Sequence, residues 1–404
     1  MYDILALDGG GSWALIQLLT LKERYKDAFP DLRGHDILAQ FDLVIANSGG
    51  SIVLAALAEN KTVDEALELF NDRAIRESIF TRNGFRDSFW PASISRWFGF
   101  GPKYSSKAKG DAFAQLFPKT HKVTMDQIPK SIGKENLKLV VCTYDALNNR
   151  AKFFRSYHSE GRQPEFVSLT RAVHGSSNAP IQYFDFPARF KAQGSNVYYE
   201  LWDGALGGFN NPVAAGLIEA HKLGIPMDQV RVVSLGTGNR LMSMEEKERF
   251  YQVKQIAMRN RRKKLKFWTY GHQTEYFKRT VLNQAKTILY QPPDWANYVA
   301  KAFLSVGCQQ VEEDQLLRFS PMIHVDSHTD SEVVALLNAL YKMDMDLTQE
   351  ADIRRVEACF ARWREGKIKN QPIEYYVERD NDLVYLYGDT YFKEAMDKWK
   401  NRGK

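Results

Sequence analysis

Cysteine is scarce in this chain: Cys142, Cys308 and Cys359 are the only three in 404 residues, and they stand far apart. They offer neither a disulfide framework nor the spacing of a zinc site, and they fit a reducing compartment. Cys142 lies inside an apolar, strand-like run and reads as a packing residue. Long hydrophobic runs are lacking too. The longest uncharged stretch, Leu43 to Ala58, falls short of the roughly 20 residues that a membrane span needs. The N-terminus has no basic leader, and Asp3 and Asp8 interrupt its apolar stretch, so it does not read as a signal peptide. There is no internal repeat, no low-complexity linker and no Gly-x-x-x-x-Gly-Lys-Ser/Thr phosphate loop. These absences point to a cytoplasmic protein that does not cross a membrane and needs no metal or cofactor.

What is present is ordinary for a globular protein: 44% hydrophobic and 26% charged residues, with a net charge of +6. That mild positive excess favours anionic partners without naming one. The first 240 residues alternate strand and helix signals. Apolar strands are predicted at Ile4–Leu7, Phe41–Ile45, Leu137–Cys142, Lys152–Tyr157, Val197–Leu201 and Val230–Leu235. Thr62 to Glu65 forms a capping box ahead of a helix, and Asn211 and Pro212 open another that ends near Gly224. The alternation predicts an α/β fold with a largely parallel central sheet flanked by helices. After about residue 245 helical periodicity dominates, with two late strands around Asp380 to Asp382. The expected organisation is a core over residues 1–245 and a mainly helical extension over 246–404, packed on that core.

Four segments carry chemistry. Ala46-Asn47-Ser48-Gly49-Gly50 sets a serine on a tight turn between an apolar strand and an apolar helix. A hydroxyl there projects beside the amides and positive dipole end of the helix start, the geometry of a nucleophile elbow. Asp8-Gly9-Gly10-Gly11 follows a strand and precedes a helix, so its amides can converge on a point outside the chain, as for a phosphate or a developing oxyanion. Asp203-Gly204-Ala205 ends a strand-like run and can project a carboxylate into a cleft, although such a triplet is also a common turn. Ser176-Ser177-Asn178-Ala179-Pro180 is a small-residue loop able to pack against a catalytic turn. Leu235 to Gly238 reads as a structural turn.

In this order and spacing the segments resemble the patatin-like phospholipase family, with its Asp-Gly-Gly-Gly loop, Gly-x-Ser-x-Gly elbow and later Asp-Gly-Ala/Gly motif. Phe209-Asn210-Asn211-Pro212 and Ser234 to Gly238 match further landmarks, and the resemblance covers roughly residues 1–245. It implies a patatin-like three-layer fold and a lipid acyl hydrolase of phospholipase A or lysophospholipase type, a serine esterase working on membrane phospholipid or other acyl lipid. By that resemblance Ser48 attacks the ester carbonyl and Asp203 is the general base. The amides of Gly9, Gly10 and Gly11 form the oxyanion hole, and Gly50 and Gly204 support the turns. An unperturbed Asp, with a pKa of about 3.9, is a poor base for a serine, so a desolvated cleft must raise it. The resemblance also implies a regulated membrane-degrading effector.

The chain departs from the family pattern at Trp13 and Ala14, where a basic residue and a glycine are usual, and at Ala46 in the elbow. Trp13 is expected to narrow or grease the acyl channel instead. Two other readings stand beside this one. A Ser-His-Asp triad would draw its imidazole from His221, His272, His324 or His328. A non-catalytic membrane-surface protein would use the basic-aromatic run Arg261 to Tyr270 and the aromatic segment from Phe85 to Phe100, with Arg86, Arg96 and Lys103 interspersed. Nucleic acid is not an expected partner, because no reading motif accompanies the basic run. Oligomeric state is not legible.

Overall fold

The computed structural model describes residues 1–83, 102–158, 166–180, 182–194, 196–240, 294–305, 314–325, 329–371, 373–376 and 383–402, with positions 248, 251, 252, 254 and 255. The aromatic segment Phe85–Phe100, the basic-aromatic run Arg261–Tyr270, Cys308, His272 and His328 lie outside the described residues.

Strands β1 (Tyr2–Leu7), β2 (Leu43–Asn47), β3 (Lys138–Asp145), β4 (Arg150–Arg155), β5 (Ala188–Lys191), β6 (Tyr198–Asp203) and β7 (Val230–Leu235) precede the short β8 (Asn239–Arg240). Then come β9 (Leu316–Phe319), β10 (Met322–Ile323), β11 (Ile373–Tyr376) and β12 (Leu383–Tyr387). Eight of them form one mixed sheet in the order β5-β6-β3-β2-β1-β7-β9, with β4 on the other side of β3. Its centre, β3-β2-β1-β7-β9, is parallel, while β4, β5 and β6 join antiparallel. The parallel strands are almost continuously apolar because helices cover both faces. Along β1, Leu5 and Leu7 face one layer, which holds the helices Leu15–Tyr25 and Ser48–Ala58. Ile4 and Ala6 face the other, which holds Val213–Lys222 and Asp294–Leu304. The fold is therefore the expected α/β architecture in three layers.

The sheet continues past residue 245. Strand β9 pairs in parallel with β7, from Val232↔Leu316 to Leu235↔Phe319. Helices Ser331–Lys342, Glu350–Arg364 and Phe392–Asn401 add Val333, Val356, Trp363 and Trp399 to the same hydrophobic cluster as the elbow helix. The two late strands pair antiparallel as β11 and β12. Strands β5 and β9 were not legible: each is four residues long, and β9 (Leu-Leu-Arg-Phe) carries a charge that breaks the apolar pattern.

One register positions the site. Strand β4 runs along one edge of β3 from Val140 to Asp145. Parallel β2 occupies the other edge up to Asn47↔Cys142, and antiparallel β6 takes over that edge at Asp203↔Thr143. Two strands thus end against adjacent residues of a third.

Candidate active site

Ser48 follows directly from the last residue of β2 and opens the helix Ser48–Ala58 with φ at 48°. A left-handed conformation is uncommon for a non-glycine residue and stores strain of order 1–3 kcal/mol. The turn is held by its neighbours. The Ser48 amide donates to Ser176 Oγ at 2.9 Å, the Gly50 amide donates to the Asp8 carbonyl at 3.1 Å, and Ser51 Oγ donates to the Ser48 carbonyl at 2.6 Å. Glycine is required behind the elbow, since a Cβ on Gly49 would lie 2.3 Å from the Gly11 oxygen and one on Gly50 2.5 Å from the Leu7 oxygen.

Asp203 ends β6 at the β3 register described above. It is 2% exposed, and its Oδ1 accepts from Asn47 Nδ2 at 3.1 Å and from the Ala205 amide at 2.9 Å. Its own amide donates to the Asn178 carbonyl at 3.1 Å. The Ser48 hydroxyl lies close enough to its carboxylate to favour the charged form. Burial pushes the Asp203 carboxyl above its ordinary value, against the opposing pull of those hydrogen bonds and of the Lys109 charge. A buried carboxylate raised in this way is a better base than one in water. Gly204 must be glycine because a Cβ would lie 2.3 Å from Asn47 Oδ1.

The triple-glycine loop lies against the elbow, but its three amides are not equivalent. The Gly9 amide donates to the Asn210 carbonyl at 2.7 Å, so the expected oxyanion role does not hold for Gly9: its donor is already taken by the turn after Asp203. The Gly9 carbonyl in turn accepts from Thr237 Oγ1 at 2.8 Å. Among the described residues the Gly10 and Gly11 amides are not taken up in this way, nor is that of Gly49 in the first turn of the elbow helix. Gly11 and Ser48 line the same cleft, which opens to solvent. An ester carbonyl oxygen there would meet backbone donors at the positive end of a helix.

Asp8, at the root of this loop, forms a buried ion pair with Arg318 of β9, Nη2 to Oδ2 at 2.6 Å. Arg318 Nη1 also donates to Ser234 Oγ at 2.7 Å. Burial pushes the Asp8 carboxyl up to about 6, with the guanidinium pulling the other way. The far side of the loop is held by residues 344–346. The Ser12 amide donates to the Met345 carbonyl at 2.9 Å, while Asp344 and Asp346 accept from Lys103 at 3.0 and 3.3 Å. Tyr183 and Tyr104 donate to the same two carboxylates. Trp13 does not line the cleft as expected. It is 2% exposed in the hydrophobic core, and its indole donates to the Asp344 carbonyl at 3.0 Å.

Two cleft residues had not been singled out in the sequence. Lys109, on the helix Ser106–Leu116, is 1% exposed, donates to the Ser177 carbonyl at 2.5 Å and lies 4.1 Å over the Phe184 ring. Burial holds its ammonium well below the usual lysine range. Arg76, on Arg73–Ile79, is equally buried. Both recur at helical spacing on otherwise apolar faces, Lys109 with Ser106, Ala112 and Phe113, and Arg76 with Ile79. That face pattern is the signal that could have found them.

Of the histidines proposed for a triad, His221 is exposed near the end of its helix with its ring 5.5 Å from Phe303, and His324 lines a separate polar cavity. Neither lines the Ser48 cleft. Half-buried His174 is held neutral, pushed down to about 3 by desolvation and Lys109, with Nε2 3.3 Å from Ser106 Oγ. Among the described residues no helix is long and apolar enough to cross a membrane, and no cluster of His, Cys, Asp and Glu could hold a metal.

The chain is 26% identical over 194 residues to the cGAMP-activated phospholipase of Vibrio cholerae serotype O1, a match covering 45% of this chain and 48% of that protein. It therefore spans about half the length of this curated relative. The crystal structure of VipD from Legionella pneumophila aligns over 88% of this chain and 67% of that one, at 12% identity and a TM-score of 0.36. The model of the patatin-like phospholipases matches residues 5–217, from β1 through the elbow and Asp203 into the following helix. The chain belongs to the patatin-like phospholipase family.

Proposed function

We propose that this protein is a lipid acyl hydrolase, of phospholipase A or lysophospholipase type, that works through a Ser48–Asp203 dyad and an acyl-serine intermediate. The supporting observation is the Ser48 hydroxyl, which lines a largely apolar cleft, beside a buried carboxylate raised above its ordinary value. In this reading Asp203 takes the hydroxyl proton as Ser48 attacks the ester carbonyl, and returns it to the leaving alcohol. Water then attacks the acyl-serine, with Asp203 again as base. The amides of Gly10, Gly11 and Gly49 receive the oxyanion, each such donor being worth about 2.7–4 kcal/mol.

The enzyme is read as cytoplasmic, meeting phospholipid at a membrane surface. The relative in Vibrio cholerae is named as cGAMP-activated; a regulated, membrane-degrading role is proposed here without assigning the signal. The test incubates wild type and Ser48→Ala with mixed phospholipids and measures fatty acids and lysolipids by mass spectrometry. Release by the wild type alone is expected, and equal release by both proteins would remove Ser48 from the chemistry.

A further inference from the structure

Arg76 is a buried cation with its best recognition edge unused. Its Nη1 donates to the carbonyls of Phe70 and Asn71, at 2.8 and 2.5 Å, and so fixes the guanidinium against the end of the helix Val63–Asn71. Its Nε and Nη2 are buried and have no hydrogen-bond partner, and among the described residues it forms no ion pair. Those two nitrogens form the side-on fork that grips a phosphate or carboxylate through two parallel bonds. A guanidinium stays charged in any protein environment, and leaving its donors unpaired in the interior is costly. Such a group calls for an explanation.

The surroundings supply one. Arg76 lines the same cleft as Ser48, and so does Lys109, whose amine has one hydrogen bond, to Ser177. Two basic side chains therefore line an otherwise largely apolar cleft, and buried Asp203, within electrostatic range of Lys109, does not itself line it. Exposed Glu350 lies within electrostatic range of Arg76 but is already paired with Arg354. A cleft meant only for a neutral acyl ester gains nothing from an unpaired guanidinium. One that receives an ester carrying a phosphate does.

We infer that Arg76, through its Nε–Nη2 edge and with Lys109 as second donor, forms a phosphate-binding subsite inside the Ser48 cleft. Resting on the reading above, the occupant is the phosphate of the phospholipid whose acyl ester faces Ser48; free phosphate shares the same chemistry. The basic residue missing after the triple glycine is thereby matched by a cation from another part of the chain. An anion arriving at the subsite would also favour the charged form of Lys109.

The test measures binding rather than turnover, so it stands even if the hydrolase reading fails. Ser48→Ala protein is titrated calorimetrically with submicellar diheptanoyl phosphatidylcholine, with diheptanoyl glycerol lacking the phosphate, and with inorganic phosphate. Adding Arg76→Met should weaken phosphatidylcholine at least about tenfold, the worth of one charged hydrogen bond or more, and diheptanoyl glycerol far less. Arg76→Lys, which keeps the charge without the fork, should fall between and guards against a folding defect. Phosphate that binds through Arg76 while phosphatidylcholine is indifferent to the substitution would name free phosphate as the occupant. Equal losses for the two lipids would reduce Arg76 to a cap for the preceding helix, and no loss for any ligand would overturn the subsite.

Discussion

Asn47 Nδ2 donates to Asp203 Oδ1 at 3.1 Å, although 156 residues separate them. The bond follows from β3, whose adjacent residues Cys142 and Thr143 pair with Asn47 and Asp203. The backbone ladder of one strand thus sets the distance between the elbow and the carboxylate. Rigid placement of this kind is what a catalytic pair needs, since small displacements of reacting groups are costly in rate.

Replacing Asp203 by Asn removes the proposed base while keeping its shape. The kcat for ester hydrolysis should fall by about 10²–10⁴, the usual worth of general base catalysis. Thermal melting should not fall with it, because a neutral amide is easier to bury than a carboxylate. Parallel kinetics and unfolding scans check both halves.

The pH profile carries a sign. Asp203 must be ionised to accept a proton, and burial raises it above its ordinary 3.8. Activity should therefore be lost on the acid side through a limb lying above that value. The Asn47 amide favours the charged form, so Asn47→Ala should move the limb to higher pH and lower the plateau. An Asn47→Ala limb displaced downward would contradict this electrostatic account.

Arg318→Met leaves the Asp8 carboxylate buried without its partner. Breaking such a pair costs about 3–5 kcal/mol, and urea denaturation near neutral pH should show a loss of that order. The folded-state carboxyl, already raised by burial to about 6, should rise further once the guanidinium is gone. Ionised Asp8 then opposes folding fully above that pKa, and the penalty falls away as the pH drops toward the unfolded-state value of about 4. The loss should accordingly shrink as the pH is lowered, and Asp8→Asn in the same chain should recover part of it.

A chain ending at residue 245 would lack β9, leaving the outer edge of β7 bare and Asp8 unpaired. Exposed sheet edges template aggregation. Such a fragment should be insoluble or inactive, and expression with a solubility assay decides it.

Much of the site was legible because its residues work through local backbone geometry. A strand, a serine between small residues and an apolar helix announce an elbow, and the structure gives Ser48 the positive φ that this turn requires. The loop Ser176–Pro180, read as close packing, supplies the hydroxyl that accepts from Ser48 and the carbonyl that accepts from Asp203. What was not legible depends on tertiary partners. Nothing local shows that the Gly9 amide belongs to Asn210, or that Trp13 turns toward Asp344. Arg318 breaks the apolar run of its own strand because it serves Asp8, 310 residues away. Lys109 and Arg76 sit in charged helices, where solvent is the ordinary destination of such side chains.

The fit of Gly49 against Gly11 has a last consequence. The triple-glycine loop and the turn bearing the Ser48 hydroxyl interlock so closely that neither tolerates a single added carbon, and Thr237 closes over Gly10 from behind. These parts can shift only as one block. A side chain added at either glycine would therefore have to displace both turns together, whereas Phe80 and Phe184, which line the same cleft as Gly11 and Ser48, are packed ring against ring.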